Sequence, residues 1–145
     1  VSVIPRIAYN LGYIYFYQQE YDKCIDICHR LEYYLDSNHL FYSAGELYHL
    51  LGVSYSKKRD LENSYHYFDK AATIFYFENK QSYYIRATLA LAEIRLQMNK
   101  YEDADAKLEE IKEKINSLDD SDLIEKYMKR LERLKERFPI SDMSD

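Results

Sequence analysis

The chain repeats itself every forty residues, and a fixed internal period constrains a fold more tightly than any overall composition. Displacing the 145-residue sequence by forty places Tyr21, Cys24, Cys28, Leu31 and Leu35 on Leu61, Ser64, Phe68, Ala71 and Phe75, and then on Tyr101, Ala104, Leu108, Ile111 and Ile115. Each set steps by 3, 4, 3 and 4 residues, which lines one stripe of an α-helix, whereas a strand would alternate by two. The same displacement aligns Ala8, Leu11, Gly12 and Tyr15 with Tyr48, Leu51, Gly52 and Tyr55, and with Thr88, Leu91, Ala92 and Arg95. Three pairs of helices follow. Gly12 and Gly52 interrupt helical patterns, where glycine costs about 1 kcal/mol relative to alanine. Close approach of two helix backbones would compensate, and the small residues Cys24, Ser64 and Ala104 are expected to face these positions.

Polar breaks at 18–20, 57–60 and 98–100 separate the helices within each pair, and 36–38, 78–80 and 116–120 separate the pairs. A seventh helix is expected over 122–138, opened by Asp122 with Glu125 in capping-box spacing and ended by Pro139. Its apolar side carries Leu123, Ile124, Tyr127, Met128, Leu131, Leu134 and Phe138, while Lys126, Lys129, Arg130, Arg133 and Lys135 make the other side polar. That division suits a helix covering the last repeat. The reading is one domain over 1–138, with repeats at about 5–40, 45–80 and 85–118, followed by a flexible tail at 139–145.

Composition removes several functions. At 47% hydrophobic and 31% charged, with three glycines and two prolines, the chain is too apolar for disorder and too poor in turn residues for a sandwich of short strands. Its 25 acidic against 20 basic residues leave a net charge of −5 and no basic field, so direct nucleic-acid contact by this segment is not expected. Charged or amide residues break every apolar run short of a membrane span. Two cysteines without a secretory leader fit a reducing cytoplasm, and the start at Val1 reads as a segment cut from a longer polypeptide.

Leu11-Gly12, Tyr15, Cys24, Cys28 and Leu31 resemble the tetratricopeptide repeat signature, and Leu51-Gly52, Tyr55, Ser64, Phe68 and Ala71 match it more fully. The third repeat departs from it with Ala92 for the family glycine and Arg95 for the tyrosine. The family tryptophan is replaced by Ala8, Tyr48 and Thr88, its closing proline by Asp36, Tyr76 and Asn116, and the period exceeds the usual thirty-four residues. Long, proline-poor repeats of this kind resemble those of Gram-positive peptide-sensing regulators, the Rgg, PlcR, NprR and Rap group. The resemblance implies an all-α fold, a right-handed α-solenoid of three hairpins plus a C-terminal capping helix. It also implies a non-enzymatic peptide- or protein-binding module, the sensing part of a helix-turn-helix transcriptional regulator. A constitutive scaffold and a Rap-like response-regulator antagonist are the competing readings.

In such an array the first helices line the concave face, which makes their non-core positions the expected ligand surface. These are Arg6, Tyr9, Asn10, Tyr13, Phe16 and Tyr17 in the first repeat, Glu46, His49, Val53, Ser56 and Lys57 in the second, and Arg86, Leu89, Glu93, Leu96 and Gln97 in the third. Tyr9, Tyr13 and Tyr17 form a ladder on one helical face. Tyrosine combines apolar area with a polar tip, which suits recognition, although 17 tyrosines in one chain equally suit packing between long helices. Arg6 and Arg86 fit a peptide carboxylate and Asn10 a backbone amide. The carboxylate clamp of co-chaperone repeats needs Lys and Asn where this chain has Tyr9, Tyr13 and Leu50.

Cys24 and Cys28, with His29 beside them, lie on the core stripe and read as small hydrophobes; zinc would need two further ligands at suitable spacing. His39, His49 and His66 are scattered, so no metal or cofactor is expected. No phosphate-cradling loop, nucleophile elbow or metalloprotease helix appears, which argues against an enzyme. An open first helix and the surplus tyrosines leave apolar surface that a homodimer would cover.

Overall fold

The computed structural model describes residues 3–38 and 44–139. His39 and the tail beyond Pro139 lie outside the described residues. Among those described there are seven α-helices and no strand: α1 (Val3–Tyr17), α2 (Tyr21–Ser37), α3 (Ala44–Lys57), α4 (Leu61–Phe77), α5 (Gln81–Gln97), α6 (Tyr101–Asn116) and α7 (Ser121–Lys135). Within each compact part consecutive helices pack on one another, α1 on α2 and α2 on α3, and likewise α5 on α6 and α6 on α7, as the helical-repeat reading requires. None of the described helices is long and apolar enough to cross a membrane.

The forty-residue period extends to the backbone. Gln19, Arg59 and Asn99, forty apart, are all left-handed, with φ of 61°, 65° and 62°, and Asn79 is too, at 61°. Each follows a helix and closes it with a pair of hydrogen bonds. After α3, for example, Arg59 N–H donates to the Ser56 carbonyl at 3.0 Å and Asp60 N–H to the Tyr55 carbonyl at 3.0 Å. The same pair recurs from Gln19 and Glu20, from Asn79 and Lys80, and from Asn99 and Lys100. Glycine is the usual residue here because it has no Cβ to clash; this chain uses Gln, Arg and Asn instead.

The chain divides into two compact units, 1–74 and 75–145. In the first unit, α1 and α2 form a hairpin and α3 packs on both. The core stripe Cys24, Cys28, Leu31 and Leu35 of α2 meets Leu47, Leu50 and Leu51 of α3. Cys24 Sγ lies 3.2 Å from Ser54 Oγ, whose own proton goes to the Leu50 carbonyl at 2.8 Å, so the thiol is the donor. Ile7, Leu11 and Ile14 of α1 are 61%, 36% and 52% exposed, although their repeat equivalents Leu47, Leu51 and Ser54 are buried against α2. Leu11, a core position by repeat alignment, is therefore open: no helix among the described residues covers α1 as α2 covers α3.

The glycines pack differently from expectation. Ser64, the small residue expected opposite Gly52, donates a hydrogen bond to the Gly52 carbonyl at 2.8 Å. The space beside the glycine belongs instead to Phe68, four residues further on: a Cβ at position 52 would stand 2.6–2.8 Å from three of its ring carbons. At Gly12 a Cβ would lie 3.4–3.5 Å from Ile27, Cys28 and Leu50, ordinary contact distance.

In the second unit, α5 and α6 form a hairpin and α7 packs on both. One core joins Ile85, Leu89, Ala92 and Leu96 of α5, Ala104, Leu108, Ile111 and Ile115 of α6, and Tyr127, Leu131 and Leu134 of α7. The N-cap of α7 is Asp120, whose Oδ1 accepts from the Asp122 and Leu123 N–H groups at 2.9 and 3.2 Å. Asp122 is thus inside the helix, and the expected capping box at Asp122 and Glu125 is not the starting device. The helix ends at Lys135, before Pro139 can stop it.

Candidate binding surface

In the first unit the tyrosine ladder forms as a stack. Tyr9 meets Tyr13 edge-on with ring centroids 5.3 Å apart, and Tyr13 stacks on Tyr17 at 5.7 Å and 29°. Phe16 lies edge-on to Tyr17 at 5.7 Å and to Tyr21 of α2 at 5.5 Å, which fixes the C-terminal end of the row. Tyr9 donates its hydroxyl proton to Glu46 Oε2 of α3 at 3.3 Å. Burial, then the neighbouring Tyr13 and Glu46, push its phenol well above the usual tyrosine range. The ladder therefore grades from a half-buried, anchored Tyr9 to Tyr17, which is 76% exposed.

The other candidates of this unit divide by exposure. Arg6, Asn10 and Lys57 are exposed, while Glu46, His49, Val53 and Ser56 are half-buried. The His49 ring sits 5.1 Å from Phe68 in edge geometry, and Val53 packs on the α2–α3 core. Both belong to packing as much as to surface. What the structure brings together is Tyr9, Tyr13, Phe16, Tyr17 and Glu46.

Two of the third-repeat candidates, Leu89 and Leu96, are corrected by the second unit. Leu89 and Leu96 are buried in the core and line no open surface. Glu93 is engaged from α7 and its end, 3.9 Å from Arg130 and 3.7 Å from Arg137. Burial, opposed by the Glu93 charge, lowers the Arg130 guanidinium. Arg86 lies over the rings of Tyr83 and Phe75, with centroid distances of 5.0 and 5.9 Å, and Gln97 is half-buried. The physical reason is α7: it packs against α5, where the positions expected to be open become an interface. The Tyr9–Glu46 bond between α1 and α3 is the same kind of contact.

One cluster escaped sequence reading. Between α2, α3 and α4 of the first unit, His29 Nε2 is 2.8 Å from the Tyr55 hydroxyl and Nδ1 is 3.2 Å from Glu32 Oε1. Tyr67 stacks on Tyr55 at 5.7 Å and 4°, and on Tyr48 at 5.9 Å and 19°. Lys70 caps the group, 4.7 Å from the Tyr48 centroid and 3.6 Å from Glu32 Oε2. Burial first, and the Glu32 carboxylate after it, push the Tyr67 phenol up to about 12 and raise Tyr48 further. Tyr67 belongs to no repeat-signature position. The available signal was Tyr48 and Tyr55 seven residues apart, two turns on one face of α3, but its partners come from two other helices.

Cys24 and Cys28 are both buried. Their mutual hydrogen bond, then burial, push the Cys28 thiol far up. Among the described residues no group of three or more His, Cys, Asp or Glu is placed to hold a metal ion.

Helix hairpins joined by tight turns and repeated at a fixed period define the class of helical-repeat folds. Within that class, residues 45–75, the α3–α4 hairpin, match the family model described as Tetratricopeptide repeat. The matched hairpin is the one whose Gly52, Tyr55, Ser64 and Phe68 carry the fullest signature. Neither the curated proteins nor the solved structures contain a match to this chain.

Proposed function

We propose that this chain is a non-enzymatic peptide-binding module, the ligand-sensing part of a helix-turn-helix transcriptional regulator that responds to a signalling peptide in the cytoplasm. The observation that carries the reading is the α1 ladder: Tyr9 is tied to Glu46, and it holds Tyr13 and the exposed Tyr17 in a fixed stack. Rings ordered before binding lose little freedom on contact, so their apolar area converts more fully into affinity. Exposed Arg6 and Asn10 on the same helix supply a carboxylate partner and a backbone hydrogen bond. Ligand binding acts by differential affinity for two arrangements of the chain.

The test is the double variant Tyr13→Ala with Tyr17→Ala, and mass spectrometry of what co-purifies with the tagged wild type from its native host. A defined short peptide retained by the wild type and lost by the variant supports the reading; a peptide retained equally by both overturns it. A constitutive scaffold is the second reading, favoured by the exposed rings of Tyr33, Tyr76 and Phe77, which lie off the α1 ladder. It predicts recovery of a large partner that the double variant still holds. A homodimer would use the open Ile7, Leu11 and Ile14 stripe, whose equivalents in α3 already lie against a helix.

A further inference from the structure

The second unit has a cleft of about 430 Å³ at the end of α4, the start of α5 and the last turn of α6. Its walls include Tyr76, Phe77 and Tyr84. Phe77 is 80% and Tyr76 55% exposed, so two large apolar surfaces stand side by side in water, their centroids 5.6 Å apart. The charges in the lining are Lys80 and Lys114, with no carboxylate, in a chain whose net charge is −5.

The two lysines differ. Lys80 lies 3.6 Å from Glu78. Lys114 is half-buried beside two rings, 6.0 Å from the Tyr76 centroid and 5.7 Å from that of Tyr84, and no carboxylate of the described residues comes within 4.0 Å of its ammonium. Glu110, one turn before it on α6, instead accepts the Tyr84 hydroxyl at 3.2 Å. Ring faces attract an ammonium and hold its position while leaving its charge uncancelled. A carboxylate arriving there gains a charge-assisted hydrogen bond and displaces no internal partner.

We propose that this cleft is a binding site for an acidic segment of a partner protein, one with an aromatic or apolar side chain beside its carboxylate. The carboxylate pairs with Lys114 and the apolar side chain packs on Tyr76 and Phe77. Two lysines against an overall negative charge are too few to hold a nucleic acid or an anionic bilayer, whose binding draws on summed basic charge. The cleft shares no residue with the α1 ladder, so this inference stands or falls separately from the proposed function.

The probe is a synthetic capped peptide of alternating Asp and Phe, titrated into the isotopically labelled full chain and followed by amide chemical shifts. Saturable shifts at Tyr76, Phe77, Tyr84 and Lys114 are expected. Lys114→Gln and, separately, Phe77→Ser should each weaken binding by about fivefold or more. Both positions are partly or largely open, so the variants keep the fold, which the unchanged remainder of the spectrum verifies. Lys112→Gln, on an exposed position of α6, should change nothing. The inference is overturned if Lys114→Gln binds like the wild type, or if shifts spread over lysines throughout the chain. It is equally overturned if inorganic phosphate gives the same shifts at the same affinity. Shifts confined to Tyr9, Tyr13 and Tyr17 would assign the peptide to α1 and overturn this site alone.

Discussion

Glycine at 12 and glycine at 52 occupy the same repeat position, yet the structure predicts opposite outcomes for their replacement by alanine. In both, alanine removes the helix penalty of glycine, worth about 0.5–1 kcal/mol. At position 12 the new methyl meets Ile27, Cys28 and Leu50 at 3.4–3.5 Å, so nothing has to move and the gain survives. At position 52 the methyl would stand 2.6–2.8 Å from three carbons of the Phe68 ring, about 1 Å inside the favourable carbon–carbon separation. Phe68 is buried, and the clash falls on the near side of its ring rather than on a movable tip. Overpacking of this kind costs about 1–3 kcal/mol, which exceeds the propensity gain. Gly12→Ala should therefore raise the urea midpoint and Gly52→Ala should lower it, each by an amount consistent with about 1 kcal/mol. The third repeat suggests the repair, because there Ala92 and Leu108 hold the equivalent positions in one core. Phe68→Leu should consequently cost less in the Gly52→Ala background than alone, a coupling that a double-mutant cycle reads directly. Equal shifts of the two alanine variants, or a cycle without coupling, would refute the assignment of Gly52 to Phe68.

The left-handed turn residues give a second test: Arg59→Gly, at φ 65°, should stabilise by about 1 kcal/mol in urea unfolding, and Asn99→Gly by less, since asparagine tolerates that conformation. The buried thiols give a third: Cys24 and Cys28 should react with an aromatic disulfide reagent only on unfolding, because burial shields both and their mutual hydrogen bond holds Cys28 protonated. The tyrosine cluster gives a fourth, on the alkaline side. The Tyr67 phenol is raised from 10.0 to about 12, so the unfolded chain releases its proton first; stability is complete below pH 10 and is lost as pH rises through about 12. Tyr48 and Tyr55 are shifted in the same direction, and Tyr67→Phe should flatten the loss measured by urea unfolding between those limits.

The core was legible because burial imposes a period, and a period survives substitution. Cys24, Ser64 and Ala104 share no chemistry, but all three are buried at the same step of the second helix. The turns were legible as positions and not as conformations. Polar residues at 18–20, 57–60 and 98–100 marked where helices stop, whereas nothing in a glutamine or an arginine announces a positive φ; the hydrogen bonds back to the preceding helix impose it. The N-cap of α7 was misplaced for a related reason, since the stretch from Asp119 to Asp122 offers three aspartates and only the backbone geometry selects Asp120.

Surface was the harder inference, because exposure depends on what lies beside a residue and the period describes only what lies beneath it. Leu89 and Tyr9 are the same position by repeat arithmetic, and both meet the third helix of their unit. At Leu89 the α5 position is apolar and disappears into a core shared with α7; at Tyr9 it is amphipathic and reaches Glu46 through its hydroxyl. Leu11 and Leu51 diverge the opposite way: equal by sequence, one is open and the other is sealed by α2. The Lys114 cleft follows the same logic. Neither Tyr76 nor Lys114 belongs to the repeat signature, and their meeting depends on the left-handed turn at Asn79 that closes α4 just before α5 begins. The departures from the period concentrated here are aromatic rings left partly in water, with a cation set beside them.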